Sequence, residues 1–119
     1  MDKQFIEEMR ETLETQRQEL MGILLSTNAA FRQMVEESSK TGDTIDEAAD
    51  VIDRTMLETL NAKDAGRLQL IDSALTRIRQ GKYGVCLKCG KEIPIARIRA
   101  IPHAVLCVDC KSAEERRNR

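Results

Sequence analysis

Apolar side chains recur along the first third of the chain at alternating intervals of three and four. Ile6, Met9, Leu13, Gln16, Leu20, Ile23, Thr27, Ala30 and Met34 follow one such line, and seven of the nine are apolar. This is the seam of a coiled coil, sustained for longer than an ordinary globular helix needs. It predicts one helix over residues 3–39, roughly 55 Å long at ~1.5 Å per residue. The polar members Gln16 and Thr27 weaken the packing but can fix its register.

Lys40 suits a helix C-terminus, Gly42 can take the left-handed conformation of a cap, and Thr44 with Glu47 has the spacing of a capping box. The chain is expected to reverse here. The returning helix carries Ile45, Ala49, Ile52 and Met56 on one face, then Leu57, Leu60, Leu68, Ile71, Leu75 and Ile78 after a shift of phase. The shift falls at residues 61–66, roughly opposite Gly22 if the helices pair as a hairpin. Gly66 costs about 1 kcal/mol relative to Ala, so a local kink is expected there. Arg77, Arg79 and Gly81 supply a basic last turn and a C-cap. From 81 to 110 the helical period is lost, and Ser112 with Glu115 offers a capping box for a short C-terminal helix. The expected fold class is all-α dominated. A long antiparallel coiled-coil helical hairpin occupies 1–80, its tip near 42–48, and a small module with a C-terminal helix, holding all four cysteines of the chain, occupies 81–119.

Composition supports thin helical packing rather than a large core. The chain has 119 residues, two Phe, one Tyr and no Trp, while 33% of its residues are charged. Net charge is only −1, so bulk charge points neither to nucleic acid nor to a membrane surface. Its distribution is uneven: from Gly81 onward nine Lys and Arg stand against four acids, leaving the first eighty residues at −6. With no signal-peptide pattern and no run of eighteen apolar residues, a cytoplasmic protein without a membrane partner is expected. In a reducing cytosol four cysteines favour a metal over disulfides.

The most specific motif is the pair of knuckles Cys86-Leu87-Lys88-Cys89 and Cys107-Val108-Asp109-Cys110, separated by seventeen residues. Four thiolates so arranged can surround one Zn²⁺ at about 2.3 Å each, leaving no open coordination position. Such a zinc is structural, a staple for a module with few apolar residues. Two disulfides or four free thiols are the alternatives. Gly90 permits the turn after the first knuckle. His103 is surplus to a complete set of four cysteine ligands and is read as a surface or turn residue. Lys88, Lys91, Arg97 and Arg99 could form a phosphate-binding patch, but without interleaved aromatics an ordinary solvated face is the better reading. No nucleophile with its base, phosphate loop or open metal site is recognisable, so no enzymatic activity is expected.

Glu36, Glu37, Asp43, Asp46, Glu47, Asp50 and Asp53 cluster around the expected reversal. Some of them would cap and charge a helix start. Their number exceeds that need, which suits a tip reaching a cation or a basic groove.

The tip sequence Asp43-Thr44-Ile45-Asp46-Glu47-Ala48, followed by the finger YGVCLKCGKEIPIARIRAIPHAVLCVDCK, resembles the DksA/TraR family of bacterial transcription regulators. The resemblance is specific from the tip to Lys111; before the tip it rests on the heptad pattern. It implies that the zinc module and helix ends dock on bacterial RNA polymerase at the rim of its secondary channel. The hairpin then enters, and Asp43, Asp46 and Ala48 act near the active centre to destabilise open promoter complexes. It also implies polymerase contacts at Lys63 and Lys111. One departure concerns guanosine tetraphosphate, the stringent-response alarmone. Basic positions that the family uses for it correspond here to Leu70, Ile101 and Lys111, and neither Leu nor Ile can pair with a phosphate. Weak or absent alarmone synergy is expected. The competing expectation is a nucleic-acid-binding zinc ribbon with the hairpin as a dimerisation or spacing element, although direct DNA binding is disfavoured.

Overall fold

The computed structural model describes residues 1–38 and 45–118, the side chains of 45–48 excepted. Gly42, Asp43 and Thr44 lie outside the described residues, as do the side chains of Asp46, Glu47 and Ala48. The fold is the all-α arrangement expected: two helical arms, a small cysteine-bearing module and a short C-terminal helix. Its helices are α1 (Lys3–Thr27), α2 (Ala29–Ser38), α3 (Ile45–Thr59), α4 (Ala62–Arg79), α5 (Ile95–Ala100) and α6 (Val108–Arg117). Strand pairing among the described residues is confined to one antiparallel bridge between Val85 and Glu92.

The first arm is not the single helix that its heptads suggest. It breaks at Asn28, whose side-chain Oδ1 accepts the Phe31 N–H at 2.9 Å. A short polar side chain that satisfies the backbone locally competes with the helical ladder, and here it starts a new helix. Beyond Leu20 the buried line moves to Leu24 and Phe31, while Ile23 is 48% exposed. Phe5, Met9, Leu13, Leu20, Leu24 and Phe31 advance by fours and sevens, closer to the natural helical period than to 3.5. The large Phe31 takes the buried place that a strict heptad assigns to Ala30.

The second arm breaks between Thr59 and Ala62, at the edge of the region where the phase shift lies. Asn61 Oδ1 accepts the Asp64 N–H at 2.9 Å, so this break too begins with an asparagine cap. The C-terminal end of α4 closes as expected. Gly81 has φ +72°, its N–H donates to the Ile78 carbonyl, and the Lys82 N–H donates to that of Arg77.

Two compact units can be distinguished. One comprises Met1–Thr15 with Leu70–Arg119, the other Gln16–Gln69. In the first, Phe5, Met9, Leu13, Ile71, Ala74, Leu75, Tyr83, Ile93, Ile98 and Leu106 are buried. In the second, Leu20, Leu24, Phe31, Met56, Leu60 and Leu68 form a thin apolar line, and Arg17 pairs with Asp53 at 2.5 Å. Asp53 is thereby removed from the reserve of acids assigned to the tip.

The segment 81–110 holds a helix that the loss of period conceals. Pro94 precedes α5, where its missing N–H costs nothing, and Ile98 on that helix is fully buried. The last helix begins at Val108, with Cys107 at its N-cap, and not at Ser112. The second knuckle is therefore the first turn of α6.

Candidate functional site

The module around the cysteines is organised by its backbone before any metal is considered. Gly84 and Gly90 both adopt left-handed conformations, at φ +85° and +73°. The Cys86 N–H donates to the Lys91 carbonyl and the Gly90 N–H to the Cys86 carbonyl, which folds the first knuckle into a tight loop. The Leu87 N–H donates to the Val105 carbonyl and brings the second cysteine segment alongside. Arg77, near the end of α4, donates to the carbonyls of Lys82 and Val85. Tyr83 is buried, and its hydroxyl donates to the Pro102 carbonyl at 2.7 Å.

This scaffold places Cys86, Cys89, Cys107 and Cys110 with their sulfur atoms all within 4.8 Å of one another. Four sulfurs at ~2.3 Å from a tetrahedral Zn²⁺ lie just under 4 Å apart, and the Cys89 to Cys107 sulfur separation is 3.9 Å. A disulfide needs about 2.05 Å, so the cysteines are free thiols held at metal-site spacing. Cys86 is buried, which by itself raises its pKa, but backbone N–H groups of Cys89, Cys107 and Lys88 outweigh this and bring it down to about 6. Cys110 is pushed up to about 12, first through the sulfurs of Cys107 and Cys86 that share its proton. Such crowded thiols lose their protons together when a divalent cation is available.

Three cations of the module, Lys88, Arg97 and Arg99, are engaged by neighbouring groups. Lys88 pairs with Glu114 at 3.3 Å, and Arg97 Nε donates to the Leu106 carbonyl at 2.9 Å. Arg99 pairs with Glu8 at 2.8 Å and lies 5.0 Å from the centre of the Phe5 ring. These contacts favour the solvated, structural reading of the basic face.

Leu70, Ile101 and Lys111, far apart in sequence, line one cavity of about 240 Å³ together with Arg97, His103, Ala104, Val105 and Leu106. His103 sits in a turn and is half-buried, in agreement with its reading as a turn residue. Lys111 is exposed, as is Lys63 at the start of α4. Neither the convergence on this cavity nor the Asn28 break is recoverable from local pattern alone.

Residues 81–116 match the family model of the prokaryotic DksA/TraR C4-type zinc finger. The chain is 35% identical over 103 residues to the RNA polymerase-binding transcription factor DksA of Haemophilus influenzae, covering 77% of this chain and 71% of that one. It is 32% identical over 99 residues to the protein of that name from Caulobacter vibrioides, covering 82% and 68%. The chain belongs to the DksA/TraR family. Among solved structures it resembles transcription factor DksA2 from Pseudomonas aeruginosa, with a TM-score of 0.66 and 28% identity over 99% of this chain and 88% of that one. Family and geometry agree on one zinc ion held by the four cysteines. When bound it supplies charge and fixed tetrahedral geometry, and no open position for a substrate.

Proposed function

We propose that this protein is a cytoplasmic, non-enzymatic regulator of transcription that binds bacterial RNA polymerase through its secondary channel. The observation that carries the proposal is the joint likeness of arms and zinc module to DksA2 over nearly the whole chain. In this reading the functional parts divide near residue 80. The zinc module and the helix ends, with Lys63 and Lys111, dock on the enzyme. The hairpin presents Asp43, Asp46 and Ala48 near the active centre, where added negative charge perturbs the elements that hold an open promoter complex. Among the described residues no helix is long and apolar enough to cross a membrane, which fits a partner in the same compartment.

The cavity at Leu70, Ile101 and Lys111 bears on guanosine tetraphosphate. A polyphosphate requires several cations, and here two of the three corresponding positions are aliphatic. Alarmone synergy through this surface should be weak or absent. The alternative, a nucleic-acid-binding zinc module, is less favoured because Lys88, Arg97 and Arg99 are already engaged.

The test is photocrosslinking to polymerase of the zinc-loaded chain carrying a photoreactive residue in place of Asp46. Adducts beside the catalytic centre support the proposal; adducts confined to the outer surface, or none, refute it.

A further inference from the structure

The two arm breaks share an asparagine cap preceded by hydroxyls that bond back to a helical carbonyl, a contact that Thr12 also makes inside unbroken α1. Just before Asn28, the hydroxyls of Ser26 and Thr27 both donate to the Ile23 carbonyl, at 3.0 and 2.6 Å. Just after it, the Arg32 guanidinium donates to the Leu25 carbonyl at 3.3 Å. Before Asn61, the Thr59 hydroxyl donates to the Thr55 carbonyl at 2.6 Å. Each asparagine then caps the helix that follows. Side chains inserted into the helical ladder are a recognised cause of sharp bends. Meanwhile the apolar contacts continue past both breaks, with Leu24, Phe31, Met56 and Leu60 all buried. Bending here need not open the core.

The ion pair between Arg17 and Asp53 supplies an independent observation. In a straight two-helix ladder reversing midway between Ser38 and Ile45, Arg17 would stand opposite Gly66. Asp53 is thirteen residues from that place, roughly 20 Å along a helix axis. No arginine side chain spans such an offset, so the pair forms only because the distal part of the arms departs from the straight ladder. Asp53 is about half exposed, its side chain at 48%, and the attraction is therefore open to screening by salt.

We infer that Asn28 and Asn61 form a paired hinge in the unit Gln16–Gln69, and that the Arg17–Asp53 ion pair latches its bent form. The hinge lets α2 and α3 swing as one body on the ends of α1 and α4. The asparagines are positioning residues. The consequence for transcription rests on the polymerase reading above, because the hinge would set where the tip points.

Amide hydrogen exchange of the zinc-loaded full chain, without polymerase, tests the hinge separately from that reading. Amides at 29–33 and 62–66 should exchange about tenfold faster than those at 20–24 and 71–75. The double substitution Asn28→Ala and Asn61→Ala lets the ladder close with a strong helix former, and should slow both hinge segments about tenfold. A merely structural cap predicts the opposite sign, so acceleration overturns the inference. Asp53→Asn at low salt, or wild type at ~1 M salt where the screening length is ~3 Å, should release the bent form, let the interrupted ladders close more often and so slow exchange at both segments. Glu14→Gln, which breaks a surface pair to Arg10 on the same arm, should not. Equal behaviour of Asp53→Asn and Glu14→Gln would overturn the latch.

Discussion

The zinc module and the helical arms solve the problem of a small core in different ways. In residues 81–111 a few atoms decide the structure: four sulfurs, three left-handed glycines, the Tyr83 hydroxyl and the Arg77 guanidinium. Among the described residues of 16–69, six buried side chains form a thin line, and two asparagines interrupt the helices around it. Point constraints give a rigid module that tolerates few changes at those points. A distributed stripe tolerates drift in register and permits breaks, which suits the entry into another molecule that we propose for the arms.

Removing the metal should break the comparison most severely. Structural zinc sites supply on the order of 10–16 kcal/mol, so a strong chelator, or Cys89→Ser, should unfold residues 82–111. The amide spectrum of 20–35 and 50–65 should persist. Loss of both sets of signals at once would show that the arms have no stability of their own.

Met56→Ala attacks the other side. Met56 is fully buried in the arms, and its truncation should cost about 2–5 kcal/mol. Zinc affinity, measured by competition with a chromophoric chelator, should not change.

Gly84 sharpens the contrast within the module. A side chain at φ +85° is strained by about 1–2 kcal/mol. An added Cβ would also meet the Met1 Cε at 2.5 Å and Sδ at 2.8 Å, so the thioether must move. Gly90 has a similar φ but open space around it. Urea denaturation should therefore find Gly84→Ala more destabilising than Gly90→Ala, the difference reporting the Met1 contact.

The smallest effect is expected at Tyr83. Tyr83→Phe should cost about 1 kcal/mol through the lost hydrogen bond to Pro102. Burial pushes the phenol up to about 12, from an ordinary value near 10. Because the folded form holds the proton more tightly, this contribution is complete below pH 10 and is lost as pH rises towards 12. Ultraviolet titration of the folded protein should find the phenolate appearing near pH 12, whereas a midpoint near 10 would place the ring in water.

The same contrast explains what the sequence reveals. Cys86, Cys89, Cys107 and Cys110 are legible because metal chemistry dictates residue type and spacing together, and the Gly81 and Gly90 turns because left-handed backbone favours glycine. The arms are legible as helices, but their register is not: Ile23 and Leu24 both fit an apolar stripe, and only three-dimensional packing selects Leu24. Asn28 looks like one polar residue among many until its side chain caps the Phe31 N–H. Helix α5 is only six residues long, too short to establish a period, although Pro94 marks its start. The cavity joining Leu70 to Ile101 and Lys111 depends on tertiary folding and has no local signal.

The central claim is that the acidic tip acts inside RNA polymerase, and one measurement tests it most directly. Transcription in vitro from a promoter with an unstable open complex should be compared with zinc-loaded wild type and Asp46→Asn at matched occupancy of the enzyme. The account predicts that wild type changes the transcript yield and that Asp46→Asn binds equally but has lost the effect. Equal activity of the two proteins, or no effect of either when bound, would contradict it.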